Sequence, residues 1–376
     1  MENVLERAKR LRYDEKIEEF RQKTLLPYWA KVNYAITRVR LYEQECGIRG
    51  LNTHVSVGGL DSITLLIFLR KVCALDIPAV SVSSLEDKSI QAVHRLLGIE
   101  TLKPLRSKVN VIKEFGYPIL SKEIANKINL LQNPSEDNKT VRHAIITGET
   151  GEYGGYRTGT RMKLSQKWLE LFGGYENETE GVHYQTPDFK VSDRCCYYLK
   201  EKPCDDWAKE HNSVPYLGLM ASEGGRRAKS LMMNGCNYFG ATTIRSAPFA
   251  IFSRQDLLQL AIDLDVPIPE IYGEIRKKPD GVLYTTKAQR TGCSMCGFGI
   301  QLEKRPHRFD LLRQTNPEEW HFWMYKQGWG HVLDYIGVKW EDEVDLTDCY
   351  QLTFDSLDDE NAEYPQKTEG FEEYFL

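Results

Sequence analysis

No apolar run in this chain approaches the roughly 20 residues needed to cross a bilayer, so a helical membrane span is not expected. The start, Met1-Glu2-Asn3-Val4-Leu5-Glu6, lacks the pattern of a secretion signal, and a cytoplasmic location is the expectation. Without such a signal, nine cysteines argue against a disulfide framework and towards metal, cluster or redox chemistry. No helix-turn-helix, zinc finger or RNP-like stretch is present to secure a nucleic-acid partner, and no internal repeat is found. The small net charge of −5 hides an asymmetry: Glu341 to Leu376 holds 13 acidic residues and one lysine, which leaves +7 on Met1 to Trp340. A mildly basic body suits a phosphate-bearing substrate without demanding a nucleic acid. The acidic tail reads as a solvated extension, with an inhibitory or nucleic-acid-mimicking arm as the other reading.

What is present is a soluble composition, 41% hydrophobic and 27% charged over 376 residues, long enough for a sizeable core. The most informative stretch is His54-Val55-Ser56-Val57-Gly58-Gly59-Leu60-Asp61-Ser62, which leads into the apolar run Ile63 to Leu69. A β-branched segment, two glycines and a hydroxyl residue opening a helix predict a strand, a tight turn and a helix start. Glycines let backbone N–H groups approach an anion, and the helix adds its positive end. The turn is neither a Walker loop nor a Gly-x-Gly-x-x-Gly fingerprint; an ordinary strand-to-helix turn gives the same pattern.

Residues 1–48 read as a helical prefix broken at Pro27, with Leu5, Ala8, Leu11, Ile17 and Phe20 facing inward and a second helix over Trp29 to Tyr42. From Leu51, strand (His54 to Val57), helix (Ser62 to Cys73), strand (Ala79 to Ser83) and helix (Lys88 to Leu97) predict an α/β fold, a Rossmann-like parallel sheet with crossover helices. Ligands on such sheets bind at the strands' carboxyl ends, which brings Gly58 to Ser62 and Ser83 to Asp87 together. Lys103, Arg106, Lys108 and Lys122 face either an anion or solvent, and Gly148 to Arg161 is a loop, a lid or a plain connection. A strand over Tyr216 to Ala221 leads through Ser222 to Arg227 into a helix over Ala228 to Met233. A short strand is expected over Ala247 to Phe252, and a helix over Arg254 to Leu264 capped by Ser253. Arg305 to Trp340 reads as a helical portion with Trp320, Trp323 and Trp329 in its core. The expected divisions are 1–48, an α/β domain over 49–304, a helical portion over 305–340 and the tail, 341–376. His143, His183 and His307 read as structural.

Adjacent Cys195-Cys196 and the pair Cys293-x-x-Cys296 supply four thiolates from two places, enough for a tetrahedral zinc or a [4Fe–4S] cluster. Adjacent cysteines favour the cluster, whose neighbouring ligands bind different irons. A redox dithiol and unliganded core cysteines stay open.

Taken together, these residues resemble the phosphoadenosine phosphosulfate (PAPS) reductase family of the PP-loop, or adenine nucleotide α-hydrolase-like, superfamily, over about Leu51 to Phe309. Gly58-Gly59-Leu60-Asp61-Ser62 is similar to the PP-loop core, and Gly218 to Arg227 to the family's G-x-x-A-x-E-S-x-x-R segment. Cys195-Cys196 with Leu199-Lys200, and Arg290 to Gly299, resemble the segments that hold a [4Fe–4S] cluster in adenylylsulfate reductases and in the DNA phosphorothioation sulfurtransferase. The resemblance implies an enzyme that binds ATP, PAPS or adenylylsulfate through Ser56, Gly58, Gly59, Asp61 and Ser62. Asp61, Ser62, Glu223 and Arg227 are the implied catalytic residues, and Cys195, Cys196, Cys293 and Cys296 the cluster ligands. Mg²⁺ is expected with ATP, although no carboxylate pair identifies its ligands. The expected partners are an adenine nucleotide, a sulfur donor such as a cysteine desulfurase, a nucleic-acid acceptor and a second copy of the chain, with no membrane.

Three positions depart from the family pattern: Val57 replaces a serine, Leu60 a frequent lysine, and Gly224 a serine. Nothing after Cys296 resembles the terminal Glu-Cys-Gly-x-His segment of the sulfonucleotide reductases. ATP-dependent sulfur transfer to a DNA phosphate, a nucleobase or a small molecule is therefore the leading expectation. A thiol-dependent reductase using Cys349 or Cys236 and a non-catalytic nucleotide-binding subunit are the alternatives.

Overall fold

A computed structural model describes residues 4–175, 184–342 and 365–371. The strands, in chain order, are β1 (Asn52–Ser56), β2 (Ala79–Ser81), β3 (Glu100–Thr101), β4 (Ile119–Leu120), β5 (Ser213–Tyr216), β6 (Asn237–Phe239), β7 (Ile244–Ser246), β8 (Ile275–Lys277), β9 (Leu283–Thr285) and β10 (Gly297–Phe298). The first helices are α1 (Val4–Thr24), α2 (Tyr28–Ile48), α3 (Leu60–Lys71) and α4 (Lys88–Leu96). Two compact units emerge, each assembled from separate stretches: residues 4–103, 203–292 and 365–371 in the first, and 104–175, 184–202 and 293–342 in the second.

The first unit is α/β, with a six-stranded sheet in the order β3-β2-β1-β5-β7-β6. All neighbours are parallel except β6, which runs antiparallel to β7. The order doubles back at β1: the chain adds β2 and β3 on one side, then crosses to place β5 on the other. Sheets of this kind leave a crevice at the carboxyl ends of the two strands flanking the reversal, here β1 and β5. The helix α3 buries eight residues between Leu60 and Leu69, seven of them apolar, including Ile63, Leu66 and Phe68, and a helix apolar on so many sides is stable only when enclosed. One stripe of α2, Val32, Ala35, Ile36, Val39, Tyr42 and Cys46, is buried in the same core. Lys31 of α2 forms a buried 2.7 Å ion pair with Asp256, and Tyr28 donates to Asp263 at 2.7 Å. Of the expected inward residues of α1, Phe20 is buried and Ile17 half-buried, while the side chains of Leu5, Ala8 and Leu11 lie outside the described residues.

Two expected strands shift. The strand placed over Tyr216 to Ala221 ends at Tyr216, because the chain leaves the sheet at Gly218 to lie against α3. The apolar run Ala247 to Phe252 is a buried pair of turns, closed by Ala250 N–H on Ala247 O and Phe252 N–H on Phe249 O, and the strand precedes it at β7. The helix Arg254–Asp263 starts where expected, with Ser253 and Asp256 forming a reciprocal cap.

The second unit is largely helical, with one parallel pair joining β4 and β10. Its core gathers Ile119, Ile128, Leu169, Phe172, Val191 and Trp329, together with Trp320 and Trp323, so the three tryptophans are core residues as expected. The 305–340 portion is helical in pieces, Arg308–Thr315, Pro317–His321, a π-helical turn Phe322–Lys326 and Trp329–Ile336. His307 caps the first of these and is structural, whereas His183 lies outside the described residues, as does Cys349 with most of the acidic tail. The Gly148 to Arg161 segment folds on itself through Thr150 N–H on Arg157 O and Thr160 N–H on Gly148 O. Among the described residues no helix is long and apolar enough to cross a membrane.

His54 of β1 is 1% exposed, with Nδ1 2.7 Å from the Ser213 hydroxyl and its ring against Trp207. Burial, helped by His211, pushes its pKa down to about 4. Below the ordinary value near 6.5 the unfolded chain takes a proton that the folded chain refuses until about pH 4, so stability falls across that window as pH drops. The loss integrates to about 3 kcal/mol. Urea midpoints of wild type and His54→Gln at pH 7 and pH 4.5 check this: the variant is expected to have the shallower acid slope, and equal slopes would refute it.

Candidate anion site and cysteine cluster

After β1 the chain turns through Val57, Gly58 and Gly59 into α3. The Gly58 N–H donates to the Ser62 hydroxyl at 2.7 Å, and that hydroxyl donates to the Gly59 carbonyl at 2.9 Å. His94 of α4 holds the turn from the side, with Nε2 2.8 Å from the Gly58 carbonyl and Nδ1 2.8 Å from the Ser83 hydroxyl. A carbonyl only accepts, so Nε2 carries the proton and Nδ1 accepts from Ser83. Glu86, nine-tenths buried, lies beside Gly58, 3.7 Å from where a Cβ there would stand. The ends of β1 and β2 thus meet, as expected from their order. Ser56, the last residue of β1, is half-buried, with its hydroxyl 3.5 Å from His54 Nε2.

The loop after β5 completes the crevice. Gly218 lies so close to α3 that a Cβ would come within 2.9 Å of Ser62 N and Cα. Beyond it, Glu223 sits in a short 3-10 turn and accepts from Arg227, on the helix Gly225–Asn234, at 2.6 Å. Glu223 is nearly enclosed while Arg227 is mostly exposed, so the carboxylate anchors the arginine and leaves the rest of its guanidinium available. Asp61 pairs with Arg254, which also donates to the Gln289 carbonyl at 3.2 Å. Burial pushes the Asp61 carboxyl above its usual range; Arg254 and Arg290 oppose this, and Glu223 reinforces it. Asp61, Glu223, Arg254 and Arg290 therefore share one electrostatic neighbourhood. At a helix start the first N–H groups have no partner within the helix, and those of Gly59 and Asp61 combine with the arginines into an environment for an anion. Such groups stabilise charge developing on a phosphate or sulfate.

Two of the positions that set the turn apart from the PP-loop pattern it resembles are buried. Val57 and Leu60 are 6% and 1% exposed and belong to the core. A lysine at position 60 would place its stem among apolar residues.

The four cysteines of interest all lie in the second unit. Cys195, buried, and Cys196, half-buried, sit on the turn Arg194–Cys196 that runs into a π-helical turn, Tyr197–Glu201. Cys293 and Cys296 are half-buried on one tight turn, closed by Cys296 N–H on Cys293 O at 3.1 Å. Burial pushes the Cys195 thiol up to about 12; Lys108 opposes the shift, and Cys196, Cys293 and Cys296 add to it. Cys196 is raised for the same reasons, with Lys122 opposing. The two segments thus bring their sulfurs into one neighbourhood attended by two lysines. Four soft donors with cationic neighbours fit the chemistry of an anionic iron–sulfur centre. Among the described residues no three Cys, His, Asp or Glu side chains already form a metal-binding array. Of the basic residues singled out in sequence, Lys108 donates to the Ser294 carbonyl, Lys122 pairs with Glu201 at 3.0 Å, and Arg106 pairs with Glu114; Lys103 is exposed in the first unit.

Compared with models of known protein families, with curated proteins and with solved structures, the chain matches none. Glu86 falls in the Ser83 to Asp87 stretch that the sequence places here; the residues that sequence reasoning missed, His94, Arg254 and Tyr272, whose hydroxyl accepts from the Leu60 N–H at 3.1 Å, come from three separate segments. Only the topology brings them to the turn, and no local pattern marks them.

The glycines differ in what they permit. Gly218→Ala is expected to cost about 1–3 kcal/mol, since the new methyl meets backbone atoms that cannot move aside. Gly58→Ala, whose Cβ would meet nothing nearer than 3.7 Å, is expected to stay within about 1 kcal/mol of wild type. Urea denaturation of both variants checks the contrast, and equal destabilisation would contradict it.

Proposed function

We propose that this chain is an adenine-nucleotide-dependent enzyme of the PAPS reductase family within the PP-loop superfamily, which activates an acceptor oxygen as an adenylate and replaces it with sulfur. The observation that supports it most is the convergence of Gly58-Gly59-Leu60-Asp61-Ser62 and Glu223 to Arg227 at the carboxyl ends of β1 and β5, flanking the reversal of strand order. In this reading the turn holds the phosphates of ATP, and the acceptor oxygen attacks the α-phosphorus with release of pyrophosphate. A persulfide on a donor such as a cysteine desulfurase then attacks the activated carbon or phosphorus and expels AMP, and an external thiol cleaves the remaining S–S bond, leaving sulfur on the acceptor and a disulfide on the donor side. Arg227, anchored by Glu223, and Arg254, anchored by Asp61, offset charge as it develops, so positioning carries most of the rate. Mg²⁺ accompanies the ATP.

Cys195, Cys196, Cys293 and Cys296 would hold a [4Fe–4S] cluster, which when bound supplies one-electron chemistry. Lys108 and Lys122 would offset its charge. The acceptor is a DNA phosphate, a nucleobase or a small molecule. The burial of Val57 and Leu60 weakens the case for a non-catalytic subunit, since their departure from the family pattern leaves the ligand face of the turn intact.

Anaerobically purified protein is expected to contain iron and sulfide and to convert ATP to AMP and pyrophosphate when a sulfur donor and acceptor are supplied. Arg227→Ala is expected to lower kcat/KM by about 10²-fold. Absence of both iron–sulfide and AMP formation would overturn the proposal. Mass spectrometry of nucleic acids and nucleotides from cells with and without the gene, searched for an oxygen-to-sulfur change, identifies the acceptor.

A further inference from the structure

The first helical N–H of α3, on Leu60, belongs to the group of donors that a phosphate-binding turn offers its ligand. Here that donor is already taken: the Leu60 N–H donates to the phenolic oxygen of Tyr272 at 3.1 Å. The same oxygen stands against the turn, 2.3 Å from where a Cβ on residue 59 would lie. It also shares a 2.7 Å hydrogen bond with the Thr291 hydroxyl. The ring is 3% exposed, and its backbone is fixed from behind. Tyr272 O accepts from Lys287 N–H, Ile271 O accepts from Ala288 N–H, and Ile271 N–H donates to Ser89 Oγ at 3.1 Å. Gly273, at φ 68°, turns the chain away immediately afterwards. The hydroxyl is thus a neutral oxygen held in a place an anionic oxygen would take.

We propose that Tyr272 is an affinity-determining residue of the anion site: its hydroxyl acts as a built-in surrogate for one phosphate oxygen, withholding the Leu60 N–H and leaving Gly59 and Asp61 N–H with the arginines to bind the ligand. The inference rests on the turn being the anion site proposed above. A tyrosine here makes the turn a weaker phosphate trap, which suits a site that must release pyrophosphate after each turnover.

Calorimetric titration with ATP and with inorganic pyrophosphate, on wild type, Tyr272→Phe and Thr291→Val, tests it. Phenylalanine keeps the ring and frees the Leu60 N–H, and a charge-assisted hydrogen bond regained there is expected to tighten pyrophosphate binding about ten- to a hundredfold. Thr291→Val leaves the phenol on Leu60 and is expected to change affinity by less than about twofold. Unchanged or weaker binding by Tyr272→Phe, or equal tightening by both variants, overturns the inference. In the wild-type protein, pyrophosphate is expected to shift the Gly59 and Asp61 amide resonances and to leave Leu60 in place; an equal shift at Leu60 also overturns it, whether or not the variant folds. Tightening towards pyrophosphate without any ATP binding sinks the nucleotide reading and leaves the role of Tyr272 standing. Binding of neither ligand to any of the three proteins sinks both.

Discussion

The 2.7 Å hydrogen bond from the Gly58 N–H to the Ser62 hydroxyl closes the turn on which the first unit's site depends. It folds the exit of β1 back over the first turn of α3, so that the helix start lies at the sheet's carboxyl edge. Ser62 in turn meets Gly218, whose lack of a side chain lets the strand-end loop of β5 rest on the same helix turn. On the other flank His94 joins the Gly58 carbonyl to Ser83 beyond β2. Three strand ends are therefore tied to five residues of backbone. Each tie uses a group with no freedom to substitute: a hydroxyl that both donates and accepts, an imidazole in one tautomer, and a glycine under a helix.

How much of this was legible in the sequence follows from how local each cause is. The β1 turn, α3 and the Ser253 cap of the helix Arg254–Asp263 are set by neighbours a few residues apart, and they lie within a residue or two of where the pattern puts them. The strand before Gly218 was misplaced because its end is decided by contact with α3, some 150 residues earlier in the chain. The run Ala247 to Phe252 reads as a strand because it is apolar, yet it is apolar because its turns are buried, and burial alone does not distinguish the two. Arg254 and Tyr272 reach the turn only through the fold. The Gly-Gly-x-Asp-Ser stretch marks the turn, and its flanks come from residues far away in sequence.

Charge at the site is arranged by pairs. Asp61 is enclosed enough that burial raises its carboxyl, and Arg254 offsets part of that cost. Glu223 is similarly enclosed and anchors Arg227. An unpaired carboxylate in either place would be expensive, and an unpaired arginine would spread over many rotamers. Pairing fixes the orientation of each guanidinium. Leu60 serves the core, and the cationic groups beside the turn come from the helices Arg254–Asp263 and Gly225–Asn234.

The second unit meets the opposite electrostatic problem. Burial makes the Cys195 and Cys196 thiols resist ionising, with the neighbouring cysteines adding to it, and the Cys195 pKa of about 12 states the size of that resistance. Lys122 answers from the other side. Burial disfavours its charge, but Cys196 and Glu201 more than compensate, holding the ammonium above its ordinary range. A metal centre binds thiolates and displaces their protons, so loading such a centre and ionising these cysteines are one event. Lys108 and Lys122 favour the ionised side at Cys195 and Cys196 respectively.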